Sequence, residues 1–336
     1  MFLEELLKES ATKIVIIGVG NAGNNIITEL YNLSIQGIQI VAMDTDVEHL
    51  EKTKAHRKIL IGRDITQGRG SMGDPRIGHL AAEARAQEIA EAVKDADFII
   101  IIAGMGNGTG TGAAPVIAKI ARETTKDRTY LEPLIVGITI FPSVTEGIKK
   151  IERAKAGINI LSHYVDTIVI IKNDNLIQPV YDPPISELFE SINRKIAKML
   201  GDIIKSILEP SMVNIAFADI YSIMKNAGTG LVGIGESQGK NASIHAVKEA
   251  LEMLKSEVKT RNCKGALVHF TVSPDIKLNE INEAMEIIYN ELAPVIGWRV
   301  HVDDKLNKTV RIFLIAIVPH SAILKEFSKF SKEPPK

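Results

Sequence analysis

The sequence predicts an α/β chain: a doubly wound parallel sheet, one long connecting helix, and a second, smaller α/β domain with a mixed sheet. Three observations carry this. Short β-branched runs alternate with helical patterns over the first two-thirds of the chain. A broad apolar stripe at helical spacing fills 186–208, and beyond it the alternation resumes and ends on two strands. The expected boundaries are 1–185, a connecting helix at 186–209, a second domain at 210–320 and a short mobile tail at 321–336.

The first strands are expected at 13–17, 38–43, 57–61, 97–103, 134–140 and 167–172. Runs such as Phe98-Ile99-Ile100-Ile101-Ile102-Ala103 lack polar alternation, as strands buried on both faces do. Helical patterns lie between them at 22–33, 77–94, 113–125 and 147–162. In the next segment Leu188, Phe189, Ile192, Ile196, Met199, Leu200, Ile203, Ile204, Ile207 and Leu208 share one face. Such a helix of about 23 residues is roughly 34 Å long. Pro183 and Pro184 precede it and Pro210 ends it, and so wide a stripe suits burial between two domains. Then come a helix at 243–259, a strand at 265–273, a helix at 277–292, and strands at 298–303 and 309–318 joined by a hairpin turn at Asp304–Asn307.

Composition narrows the function. The 336 residues carry 40 Lys+Arg against 41 Asp+Glu, with 45% hydrophobic and 24% charged residues, inside the globular range. A formal net charge of −1 gives no long-range attraction for nucleic acid or anionic lipid. One cysteine, Cys263, excludes an intramolecular disulfide and a thiolate metal cluster. No apolar run approaches the roughly 20 residues of a spanning helix. The acidic N-terminus MFLEELLKES is not a secretory signal, so a cytoplasmic protein is expected.

Two glycine loops carry the chemistry. Gly18-Val19-Gly20-Asn21-Ala22-Gly23 matches G-x-G-x-x-G between a strand and a helix, and Asp44 closes the second strand. That is the setting of a Rossmann-like dinucleotide site, in which glycines admit phosphate and the acid holds ribose. The second loop, Gly104-Met105-Gly106-Asn107-Gly108-Thr109-Gly110-Thr111-Gly112, follows the strand at 97–103 and opens another helix. Glycines gather N–H groups into an anion cradle, threonines add hydroxyls and the helix N-terminus adds partial positive charge. A dinucleotide fold does not need this second cradle, and no G-x-x-x-x-G-K-[ST] lysine loop is present. Two such loops suit a triphosphate, while a ligand-free turn and an oxidoreductase remain the competing readings.

GMGNGTGTG resembles the glycine signature of the tubulin/FtsZ GTPases, and the likeness continues in order along nearly the whole chain. GVGNAGNN, MDTD, GRGSMGDP, AGMGNGTGTGAAP, TEG, KNDNL, NIAFAD, GLVGIGES and TVRIFLIAIV follow the FtsZ branch, archaeal forms especially. The resemblance implies a GTP-binding, filament-forming GTPase of prokaryotic cell division, located at the division site. It assigns phosphate contacts to Gly20, Ala22, Gly23 and Asn24, and to Gly106, Gly108, Thr109, Gly110 and Thr111, while Asn21, Gly104, Asn107 and Gly112 complete the two candidate cofactor-binding loops. Gly70, Ser71 and Gly73 match the loop that senses the terminal phosphate, and Met72 lies within it. Glu146 matches the ribose contact, and Lys150 stands where the family usually has arginine. Asn173 matches the residue that reads guanine, and Phe189 and Asn193 match those that stack on the base and bond its edge. Phe189 also fits the apolar stripe of its helix. GTP or GDP is the implied ligand, with Mg²⁺ held through its phosphates and no all-protein metal site.

The resemblance further implies that hydrolysis occurs between subunits, where an N-x-D-x-x-D or N-x-D-x-x-E loop positions water at the neighbour's nucleotide. Here Asn214 and Asp219 match and the first acid is replaced by Ala216. Loss of one carboxylate predicts a rate lower by about 10²–10³. Asp219 as a helix cap is the bland reading. Asn21, Met72 and Asn107 stand where the family usually has glycine. Asparagine tolerates left-handed backbone, whereas Met72 is expected to narrow its loop or redirect it. A head-to-tail contact repeats into open filaments, so the first partner is another copy. A non-hydrolysing scaffold that co-assembles with a standard FtsZ is the alternative. The chain ends about 18 residues beyond the last expected strand, with Ile323, Leu324, Phe327 and Phe330 in an amphipathic pattern. Membrane attachment would then fall to a separate tethering protein.

Overall fold

The computed structural model describes residues 12–127, 131–176, 184–208, 217–256, 263–292 and 296–323. They form two compact units, one of Met1–Val165 with Phe189–Lys198 and one of Asp166–Leu188 with Met199–Lys336.

The first unit runs β1 (Ile14–Val19), α1 (Gly20–Asn32), β2 (Ile38–Asp44), α2 (Val47–Lys52), β3 (Arg57–Leu60), α3 (Pro75–Glu83), α4 (Ala86–Val93), β4 (Phe98–Gly104), α5 (Gly108–Thr125), β5 (Leu134–Phe141) and α6 (Ile148–Leu161). Its strands lie parallel in the order β3-β2-β1-β4-β5. The chain moves outward from β1 to β3, then returns to place β4 on the other side of β1. That reversal opens a crevice at the carboxyl ends of β1 and β4, where doubly wound sheets bind ligands. β1 is buried throughout and β4 in all but its last residue, as their unbroken apolar sequences require.

Two helix expectations change. The pattern at 77–94 is two helices, broken at Arg85, whose backbone lies at φ −119°, ψ 22°. Asp74 caps α3 and Pro75 opens it, but no glycine or proline marks the break. α5 begins at Gly108 and not near Ala113, so the glycines wind into its first turns. Their value there is close packing: a Cβ on Gly112 would run into the Pro75 carbonyl, and one on Gly108 into Ser71 Oγ.

α7 (Ile185–Leu208) belongs to both units, and α8 (Phe217–Met224), α9 (Ala242–Lys255) and α10 (Leu278–Glu291) to the second. The second unit's strands are β6 (Thr167–Lys172), β7 (Gly228–Gln238), β8 (Gly265–Val272), β9 (Ile296–Val302) and β10 (Thr309–Val318), in the order β6-β7-β10-β8-β9. β6–β7 and β8–β9 are parallel, whereas β10 is antiparallel to both β7 and β8, which makes the sheet mixed. The expected hairpin between the last two strands is therefore wrong. β10 is almost wholly buried and takes a central place, and β9 takes the edge beside β8. β7 has no counterpart among the expected strands because four of its eleven residues are glycine. Those glycines admit α9, since a Cβ on Gly233 or Gly235 would strike the Ala250 or Ala246 carbonyl.

Candidate functional site

The two glycine loops leave neighbouring strand ends, with Val19 paired to Ala103 in register. Gly20 turns at φ +69°, and a Cβ there would lie 3.2 Å from the Gly110 nitrogen. The two loops thus pack closely enough that a side chain at Gly20 would be crowded, and the positive φ independently favours glycine there. Neither Val19 nor Asn107 supplies a side-chain cap to the helix it precedes. Two helix N-termini therefore open at one place with first-turn N–H groups uncapped by their N-cap side chains, the arrangement that binds anions. Thr111 Oγ1 accepts the Gly106 N–H at 2.8 Å, so this hydroxyl fixes its own loop. Thr109 Oγ1 bonds Thr45 Oγ1 at 2.7 Å and Ser71 Oγ at 3.0 Å, tying three loops through one hydroxyl.

The Gly70–Gly73 loop is held by Gly70 N–H to Thr45 O at 3.0 Å and by Arg153 Nη1 to Gly73 O at 2.9 Å. Gly70, Met72 and Gly73 all have positive φ, +78°, +50° and +74°. Met72 therefore keeps a glycine-type turn. Met72 is 82% exposed, so its side chain is not packed into the loop. The asparagines do not act as expected either. Asn21 lies in the first turn of α1, and Asn107 has extended backbone at φ −101°, ψ −176°. Neither uses a left-handed conformation.

Asp44 is 3% exposed and both its oxygens are engaged. Oδ1 accepts the N–H groups of Thr45 and Asp46 at 2.8 and 3.2 Å. Oδ2 accepts Asn24 Nδ2 at 3.0 Å and faces His49 Nδ1 at 2.8 Å. Asn24 is fully buried and also donates to the Met43 carbonyl at 3.2 Å. The pair binds the end of β2 to α1. His49, Thr45 and Arg153 were not singled out by sequence reasoning. The Asp46-x-x-His49 spacing was the available signal, since Asp46 caps α2 by accepting the His49 N–H.

Glu146 Oε2 faces Lys150 Nζ at 3.2 Å, and Glu146 Oε1 accepts the Ser143 N–H at 2.9 Å. A Cβ on Gly106 would lie 2.8 Å from the Lys150 carbonyl, so the start of α6 borders the second glycine loop. Phe189 and Asn193 sit one turn apart on α7. Phe189 is 49% exposed while Ile192 and Ile196 are buried, so the aromatic ring lies outside the helix's core face. Asn173 opens a one-turn helix after β6 and Asp219 is the third residue of α8, both in the second unit. Asp219 is exposed and stands inside the first helical turn, not at the cap. Asn214 and Ala216 lie outside the described residues, as do Leu324, Phe327 and Phe330, whereas Ile323 is buried. Among the described residues no group of three or more His, Cys, Asp or Glu side chains forms a metal site.

Paired glycine loops opening helices at the switch point of a parallel sheet are the arrangement of nucleotide-binding α/β proteins. Comparison with known proteins specifies it. The model of the Tubulin/FtsZ family GTPase domain matches residues 13–180, and that of the FtsZ family C-terminal domain matches 228–318. The chain is 50% identical over 305 residues to cell division protein FtsZ 2 of Pyrococcus furiosus, covering 90% of this chain and 75% of that one. It is 36% identical over 315 residues to cell division protein FtsZ 1 of Thermococcus kodakarensis, covering 93% and 82%. An empty FtsZ dimer of M. jannaschii matches with a TM-score of 0.85 at 35% identity, over 94% of this chain and 91% of that one. The chain belongs to the tubulin/FtsZ family, a family of GTPases.

Proposed function

We propose that this protein is a filament-forming GTPase of prokaryotic cell division that hydrolyses GTP at a head-to-tail contact between copies. The observation that carries the reading is the close packing of Gly20 against Gly110 between two helix N-termini without side-chain caps. A triphosphate supplies the acceptors that this cradle needs. The loops of Gly20–Asn24 and Gly104–Gly112 hold the phosphates, and Gly70–Gly73 senses the last one. Glu146 and Lys150 take the ribose. Asn173, Phe189 and Asn193 take guanine, and the exposure of Phe189 favours stacking over a core role. Asp44 serves as a positioning residue, because its oxygens are occupied within the chain. With nucleotide bound, Mg²⁺ held through the phosphates would neutralise their charge, and the linked hydroxyls of Thr45, Ser71 and Thr109 would be placed to hydrogen-bond its waters.

Asn214 and Asp219 of one copy position water at the nucleotide of the next, and the change to Ala216 makes turnover slow. Relatives named FtsZ 1 and FtsZ 2 support a second family member as a co-assembling partner. No helix among the described residues is long and apolar enough to cross a membrane, and we assign attachment at the division site to a separate tethering protein. Asp219→Ala tests the central role. It is expected to lower GTP turnover by at least about 10² while leaving GTP binding within about twofold, because in this reading the residue acts on the nucleotide of the neighbouring copy. Unchanged turnover would remove Asp219 from the mechanism. A wild-type protein that binds GTP and releases no phosphate would favour the scaffold reading.

A further inference from the structure

We propose that His49 is a positioning residue that aims the side-chain amide of Asn21 at the nucleotide phosphates, an inference that rests on reading the first glycine loop as a phosphate cradle. α2 is fixed at its start by Asp46, whose Oδ1 accepts the N–H groups of Glu48 and His49 at 3.0 and 3.1 Å. This sets the imidazole between the end of β2 and the surface of α1. Its Nδ1 lies 2.8 Å from Asp44 Oδ2 and its Nε2 lies 3.2 Å from Asn25 Oδ1; both partners are acceptors, so both ring nitrogens donate, which only the imidazolium form can do. Asn25 Nδ2 in turn donates to Asn21 Oδ1 at 2.8 Å, four residues back on the same helix face. A chain of three hydrogen bonds thus runs from a carboxylate that is 3% exposed to an exposed amide in the glycine loop.

The polarity of that chain matters. Asn21 Oδ1 is occupied, while its NH₂ has no partner among the described residues. Asn21 stands in the first turn of α1, whose N-cap Val19 offers no side-chain acceptor. A phosphate oxygen only accepts, so it is attracted to the NH₂ and repelled by the carbonyl oxygen. A free asparagine presents either end. One whose oxygen is tied through Asn25 and His49 to a buried acid presents its donor before the ligand arrives, and this preorganisation strengthens binding.

The test is a double-mutant cycle on binding of N-methylanthraniloyl-GDP to full-length protein below its assembly concentration. Asn21→Ala, Asn25→Ala and His49→Ala are each expected to weaken binding about five- to tenfold. Asn21→Ala combined with either of the others is expected to match Asn21→Ala alone, since those residues act through it. Asn25→Ala cuts the chain on an exposed helix face and leaves the Asp44–His49 contact in place, so it answers the question even if His49→Ala fails to fold. Losses that multiply, or an Asn25→Ala protein with wild-type affinity, would overturn the proposal. Wild-type protein that binds neither this probe nor its GTP counterpart would instead remove the phosphate-cradle reading and the proposal with it.

Discussion

Met72 occupies a left-handed turn at φ +50° with its side chain 82% exposed, so it gains little packing in return for an unfavourable backbone. A non-glycine residue in that region costs about 1–2 kcal/mol, partly offset by the greater unfolded-state entropy of glycine, about 0.5–1 kcal/mol. Met72→Gly is therefore expected to stabilise the fold by up to about 1 kcal/mol, and Met72→Val to destabilise it by about 1–2 kcal/mol. Urea unfolding of the three proteins checks both signs. The sequence announced a departure at this position but not its resolution, because φ is not written in a residue type. Asp44 shows the same limit. Its place at the end of a strand was legible, yet whether its oxygens face a ligand or the chain depended on His49 and Asn24 arriving from other elements.

At the scale of elements, glycines set how closely helices and strands approach. A Cβ on Gly23 would run into the Ile102 carbonyl, which is backbone of β4 and has nowhere to move. Gly23→Ala is expected to destabilise the protein by about 3 kcal/mol or more, read from a drop in its thermal midpoint. Unbroken apolar runs made β1, β2, β4, β5 and β6 legible. β7 was hidden because its glycines serve α9, and the break at Arg85 because no punctuating residue marks it. The place of β10 between β7 and β8 is a long-range pairing that adjacency in sequence does not encode.

The β8–β9 pair also carries a pH response. His269 lies opposite Arg299 in register, and burial first, then the charges of Arg299 and His301, lower its pKa to about 3. The ring is neutral in the fold and takes up a proton more readily once unfolded. Its contribution to stability is thus complete above the ordinary histidine range near pH ~6.5. It is lost as pH falls from there toward about 3. Denaturant unfolding between about pH 7 and pH 4 is expected to show a smaller loss of stability in His269→Gln than in the wild type. Equal losses would mean that the ring is charged in the folded protein.

At the scale of the whole molecule, the phosphate loops belong to the first unit and Asp219 to the second. In the proposed mechanism those parts come from two copies, and the contact is heterologous and does not close on itself. Activity then depends on assembly, a property that no single residue displays. The ordered series of motifs made the family legible, whereas Asn214 and Ala216 fall outside the described residues. The most direct test is phosphate release from GTP, with Mg²⁺ present, as a function of protein concentration. The proposed mechanism predicts a rate near zero at low concentration that rises linearly above a threshold, at the concentration where filaments first scatter light. A rate per molecule that is constant at all concentrations would place the complete active site within one copy and contradict hydrolysis at the head-to-tail contact.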